Sequence, residues 1–467
     1  MPERTLIKSA RLVSAGVPLE HDIADVLIED GKVAAIGMDL VVESAEVIDA
    51  QHKILAPGFV DGHRHVWQTQ LRNVCTDFSL WEYVLHIRLV WSTLYTDEDV
   101  YLGNYLGALE ALDAGITTIV DHCHAINSPE HADAAVRGLL DSGIRGIFCF
   151  GTFPNEPRVP VDVPTDPEWR YKAAKTIRNG LLSSDSGLIQ FGFAPLELEG
   201  FPFEVVSREI EFARSLNSAA LSCHIATGAY DRGNQMAKSL RDKGILGPDF
   251  LLVHGSSFTD EEIDIIRDAG AGIISTPETD LQMAMGHPVA SRAHEAGART
   301  GLGIDIVSNF AGDMFAQMRL GLQAERGVRN AEFDRAKKPP RKISPKAESF
   351  LEMATLGVAR AIHKENVIGS LEVGKDADLI LVSTDALHMM PTPDPIGGLV
   401  MNARPSDIEC VMVAGRFVKR DGKLIDDDLG RLRNRFRDSA SILRSRFKQE
   451  YLDAAFQAPL IQELAPE

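Results

Sequence analysis

Ile54-Leu55-Ala56-Pro57-Gly58-Phe59-Val60-Asp61-Gly62-His63-Arg64-His65 decides the fold of this 467-residue chain. An apolar run that closes on His-x-His reads as a buried strand, in which side chains two residues apart point to the same face. The imidazoles of His63 and His65 then converge while Arg64 points away. That is half of a metal site, placed where a strand leaves a core.

Downstream, short β-branched runs alternate with longer amphipathic ones, the pattern of βα units around a parallel sheet. After the His63 strand the expected strands are 117–122, 144–151, 188–195, 219–225, 250–255, 271–276 and 300–305. Helices are expected over 97–114, 130–142, 167–183, 204–216, 234–243, 259–269 and 288–296. Thr259-Asp260-Glu261-Glu262 reads as a capping box, and Gly115, Gly143, Gly244, Gly270 and Gly297 fall where helices stop. Eight strands alternating with helices predict an α/β protein built as a (β/α)8, TIM-like barrel over residues 57–365.

The ends differ from the middle. Residues 1–56 and 366–430 hold short strands and turns, and Val26–Val33 echoes Val411–Val418 as a second hairpin with a glycine turn. Both chain ends are therefore expected to build one small β-sandwich. Residues 431–467 form a C-terminal helix and tail, the helix (429–447) being amphipathic and arginine-rich, fit to cover the body or a second copy in a homo-oligomer.

Composition narrows the function. A formal net charge of −19 disfavours nucleic acid and anionic membrane surfaces, and no apolar run is long enough to span a bilayer or to serve as a secretory signal. A cytoplasmic enzyme with a small-molecule substrate is expected. Five scattered cysteines without CxxC spacing argue against disulfides and a thiolate zinc site, so a metal must be held by nitrogen and oxygen.

Barrel enzymes carry their chemistry at the C-terminal ends of strands. There the fifth strand closes on His224, the sixth on His254 and the eighth on Asp305. Imidazoles with a carboxylate suit one divalent ion, Zn first, with Fe, Co or Mn also compatible. Asp305 is the candidate base for a metal-activated water, and His254 the candidate partner for negative charge on the substrate.

With these residues in place the chain resembles the metal-dependent amidohydrolase superfamily, in the branch of nucleobase deaminases and triazine hydrolases, and is also similar to phenylurea hydrolases and molinate hydrolase. The marks are Pro57–His65, the single histidines His224 and His254, Asp305 with Ser308-Asn309, and the closing Gly369–Leu379. The resemblance implies His63, His65, His224 and Asp305 as metal ligands and His254 as a catalytic residue. A bridging lysine is missing from Gln190–Pro195, which favours one metal.

A second departure bears on the reaction. Deaminase-like members place a glutamate three residues after the fifth-strand histidine, where this chain has Thr227. A threonine hydroxyl is a poor acid at neutral pH, and ring deamination needs a proton on the ring nitrogen. The sequence therefore favours hydrolysis of a urea, amide or thiocarbamate, with an aminohydrolase or chlorohydrolase of a triazine or nucleobase-like ring as the alternative. A metal-binding scaffold without catalysis fits poorly with Asp305 and His254 both present. Glu278, at the end of the seventh strand, is a candidate replacement acid, and Gln68, Trp91, His124, Phe153 and Thr227 are candidate pocket residues.

Overall fold

Eight parallel strands make the centre of the computed structural model, which describes residues 4–426 and 428–459. They are β1 (Phe59–Arg64), β2 (Ile116–Cys123), β3 (Arg145–Gly151), β4 (Ile189–Ala194), β5 (Leu221–Ile225), β6 (Phe250–His254), β7 (Gly272–Ser275) and β8 (Arg299–Leu302), paired in chain order. All are buried along nearly their whole length without polar alternation, only Arg145, His224 and Arg299 being half-buried, as expected of strands covered on both faces. Period-two packing still sorts the side chains. Val60, Val120, Ile147, Cys149, Val253 and Ile274 cluster together, with the helix Leu356–Ala361 packed against them, while Phe148, Phe150, Phe191 and Phe193 join the larger cluster shared with the surrounding helices.

The ring closes between β1 and the residues after β8. Asp305 N–H donates to the His63 carbonyl at 2.8 Å and His65 N–H donates to the Asp305 carbonyl at 2.8 Å, while the buried Asp61 carboxylate accepts from Ile304 N–H at 2.9 Å. The expected (β/α)8 barrel is thus the fold. Helix signals also hold: Thr259 and Glu262 form a reciprocal capping box at the start of Asp260–Ala269, and the helix ends on Gly270 at φ 72°, a left-handed cap that favours glycine.

Strands from both chain ends join in one continuous nine-stranded sheet, in which Lys53–Pro57 pairs antiparallel with Leu379–Ser383. The two echoing hairpins meet there. Asp30-Gly31 and Ala414-Gly415 turn with positive φ, and a Cβ on Gly415 would lie 2.7 Å from Gly31 Cα, so the turns pack only because neither glycine has a side chain.

The arginine-rich C-terminal helix (Leu429–Arg446) lies against the helix Asp97–Asp113. Arg446 pairs with Asp99 at 2.5 Å, Arg435 pairs with Glu98, and Leu432, Ala440 and Leu443 are buried. Part of its basic character therefore answers acidic side chains of the same chain, and most of its apolar positions are covered without a second copy. Residues 460–467 of the expected tail lie outside the described residues.

Candidate metal and catalytic site

At the C-terminal mouth of the barrel the ring nitrogens and carboxylate singled out from sequence come together. His63 Nε2 lies 3.2 Å from His224 Nε2 and 3.5 Å from Asp305 Oδ1, and His65 Nε2 lies 3.3 Å from the same oxygen. β1 ends at Arg64, one residue earlier than expected, with His65 in the turn that follows. The two imidazoles nevertheless converge, with ring centroids 4.7 Å apart. Arg64 points the other way, to Glu110 on the helix layer at 3.0 Å.

Outer contacts aim the rings. His65 Nδ1 donates to the His122 carbonyl at 2.7 Å, and His224 Nδ1 donates to Glu197 Oε2 at 3.0 Å, which leaves each Nε2 lone pair facing the cluster. Burial holds His63 down to about 4 and lowers His65 well below its ordinary value, so neither ring is a cation at neutral pH. Lone pairs and a carboxylate at these separations repel one another unless a cation sits among them. A tetrahedral ion with ligand bonds of ~2.1 Å spaces its donors by roughly 3.4 Å, so the donor set fits a divalent metal in both chemistry and spacing. His122 offers a ring nitrogen to a second grouping with His63 and His224, but its Nδ1 is engaged by Ser222 Oγ at 3.0 Å.

His254 stands beside the cluster, its ring centroid 5.5 Å from that of His224. Its Nδ1 meets Asp280 Oδ1 at 3.1 Å and Thr276 Oγ at 3.0 Å, so Nε2 is turned toward the cavity. Burial alone would lower this imidazole, but the Asp280 hydrogen bond together with the Asp305 and Asp280 charges raises it above its ordinary value. Burial likewise works against the Asp305 carboxylate, yet the surrounding histidines hold it well below the usual range. Both residues sit in the left-handed region, His254 at φ 79° and Asp305 at φ 69°. For non-glycine residues that costs on the order of 1–3 kcal/mol each, strain typical of functional positions.

The cluster floors a cavity of about 140 Å³. Leu80, Tyr83, Val84 and Arg88 wall it from the segment after β1, Phe153 from the loop after β3, Thr227 and Tyr230 from the loop after β5, and Met283 and Met285 from the segment after β7. Phe153 and Thr227 are where the sequence suggested. Four other candidates lie behind the wall. Gln68 is spent between Tyr83 and Ser308; Trp91 stacks on Phe447 of the C-terminal segment at 5.0 Å; and His124 packs on the His65 ring at 4.2 Å, its nitrogens without a hydrogen-bond partner among the described residues. Glu278 does not reach the cavity because its carboxylate accepts from Gln317 Nε2 at 3.0 Å, on the helix Met314–Ala336.

The structure adds residues that sequence spacing did not single out. The loop after β4, Pro195–Gly200, brings Glu197 and Glu199 to the cavity. Glu197 bridges His224 to Arg88 Nη1 at 3.1 Å; burial pushes its carboxyl up, but His224 and Arg88 outweigh burial and keep it ionised. Glu199 Oε1 accepts from Ala226 N–H at 3.0 Å. Asp280 is the third. In the sequence these acids carry no periodic signal, and only their place after a strand end, in Pro195-Leu196-Glu197-Leu198-Glu199 and Thr276–Asp280, could have drawn attention to them.

Known proteins share this architecture. A 5-methylthioadenosine/S-adenosylhomocysteine deaminase of Symbiobacterium thermophilum is 29% identical over 434 residues, covering 90% of this chain and 94% of that protein. A 5′-deoxyadenosine deaminase of Methanosarcina barkeri is 27% identical over 433 residues, with 90% and 94% covered. Among solved structures, an adenosine deaminase from Xanthomonas campestris with bound zinc superposes with a TM-score of 0.82 at 24% identity, over 94% of this chain and 98% of that one. Residues 54–418 match the model of the amidohydrolase family, and with the barrel, the terminal sheet and the histidine–aspartate cluster this shows that the chain belongs to that family, as a hydrolase of carbon–nitrogen bonds other than peptide bonds.

Proposed function

We propose that this protein is a metal-dependent aminohydrolase that replaces an exocyclic amino group of a small heteroaromatic ring with oxygen. The observation that carries the reading is the pair of carboxylates, Glu197 and Glu199, that the loop after β4 brings to the cavity wall shared with Thr227. Thr227 was the ground for preferring a urea, amide or thiocarbamate, because no acid stood at that position; a carboxyl arriving from another strand removes that ground. The deaminase relatives support the same choice. A volume of about 140 Å³ is close to that of an engineered cavity filled by one benzene ring, so it suits the reacting ring, with any larger substituent of the substrate lying toward the open side.

His63, His65, His224 and Asp305 would hold the metal, with zinc the first choice for this nitrogen and oxygen set. When bound, such an ion supplies the acidity that makes water nucleophilic at neutral pH. Asp305 takes the water proton on its carboxylate and returns it to the departing amine. His254, fixed by Asp280, faces the oxygen that attacks the ring. Glu197 keeps His224 in the tautomer that faces the cluster.

The test is release of ammonia by the zinc-loaded enzyme from cytosine, melamine and adenine nucleosides, run beside amine release from aryl ureas and thiocarbamates. Ammonia from at least one ring is expected. Turnover of ureas or thiocarbamates with none of the rings would overturn the reading.

A further inference from the structure

We infer that Glu199 is the acid that protonates the substrate ring nitrogen, a role for which the chain has no glutamate at Thr227; this rests on the ring-aminohydrolase reading above. The geometry is local and specific. Glu199 sits in the loop after β4, and its Oε1 accepts from the N–H of Ala226, the residue that precedes Thr227. Ala226 has φ 54°, a turn that carries the backbone away from the end of β5, two residues after His224. The carboxyl is thereby anchored beside Thr227, and the two residues line one cavity with His224, His254 and Asp305.

The other candidate acids fail for stated reasons. Glu197 is held ionised between His224 and Arg88, so it has no proton to give. Glu278 is engaged by Gln317 behind the wall. Glu199 differs from both in its surroundings. Burial raises its carboxyl, the Ala226 N–H opposes this, and the negative charges of Asp231 in the turn after β5, Glu197 on its own loop and Glu262 on the helix Asp260–Ala269 after β6 raise it further, to about 7. At neutral pH a large share of the molecules carries the proton.

The proton balance closes. Water oxygen adds to the carbon bearing the amino group as one water proton passes to Asp305 and the Glu199 proton passes to the ring nitrogen. The carbon–nitrogen bond to the amino group then breaks as Asp305 returns its proton and ammonia leaves. The remaining hydroxyl proton goes to Glu199, leaving a ring carbonyl beside a protonated ring nitrogen, with both carboxyls restored.

The experiment uses the zinc-loaded full chain and whichever of cytosine, melamine or 5′-deoxyadenosine the parent hydrolyses fastest. Glu199→Gln is expected to lower kcat by about 10²–10⁴-fold, with zinc content unchanged. The parent rate should fall as pH rises through about 7, and the residual rate of the variant should lack that limb. Glu199→Asp, which keeps an acid, should retain more activity than Glu199→Gln, and Thr227→Glu placed in the Glu199→Gln chain should restore part of the rate. Parent-like turnover by Glu199→Gln, or equal losses in Asp and Gln variants with reduced zinc, would overturn the assignment. Absence of ammonia release by the parent itself would instead sink the ring reading, and this inference with it.

Discussion

Asp305 and His65 are joined twice: His65 N–H donates to the Asp305 carbonyl at 2.8 Å, and His65 Nε2 lies 3.3 Å from Asp305 Oδ1. The first contact closes the barrel between its eighth and first strands. The second brings together two of the donors proposed for the metal. Closure and site are thus one local event, which explains why a residue at φ 69° is held there despite its strain.

Asp305→Asn keeps the backbone latch and removes the negative charge. We expect hydrolysis to fall by about 10²–10⁴-fold through loss of the base, together with a measurable fall in bound zinc. Rate assays paired with metal analysis check this; parent-like hydrolysis would show that the base lies elsewhere.

Glu197 acts on the site through His224. Glu197→Gln should weaken metal affinity by about 10–100-fold, read by competition with a chelator. Activity should recover substantially when excess zinc is supplied. An unchanged affinity would mean that the hydrogen bond at 3.0 Å does not aim the ring.

Asp280 supports His254 in the same manner, and the sign of its pH dependence follows from the raised imidazole. A histidine whose folded value exceeds its unfolded one contributes stability that is full below the unfolded value and lost as pH rises through the folded value. Asp280→Asn should therefore cost more stability at pH 5.5 than at pH 9. Denaturant unfolding at the two pH values measures it, and a larger cost at pH 9 would contradict the pairing.

Glu278 shares the sign of that pH dependence, but here the ionised group is a cost to the fold. Burial first, then the charge of Asp313, raises its carboxyl from 4.5 to about 8, so the folded state binds more protons than the unfolded state between those values. Stability falls across that window as pH rises. Glu278→Gln should be more stable than the parent above pH 8, the advantage fading toward pH 4.5, while hydrolysis stays within a few-fold of the parent. Thermal unfolding across pH, with one rate measurement, decides whether this residue is structural.

Much of this was legible in one dimension. His63, His65, His224, His254 and Asp305 each close an apolar run, and a parallel barrel puts such positions at one mouth, so the cluster followed from strand count and period. The hairpin turns at Gly31 and Gly415 were equally plain, since a tight turn with positive φ favours glycine. Loops carry no such period. Trp91 looked like a pocket aromatic because it follows the first strand, yet Phe447, more than three hundred residues later, covers it.

By itself, then, the sequence determined the barrel, the terminal strands and the donor set proposed for a metal, because backbone periodicity and strand-end placement are local rules. Only the tertiary structure decided which acids serve those donors. Glu197 meets His224 and Arg88, Glu199 meets Ala226, and Asp280 meets His254 across loops whose course depends on packing between distant segments. The gap at Thr227 was visible in the chain; that a carboxyl from the loop after β4 stands beside it was not, because proximity across the mouth of a barrel has no signature in spacing.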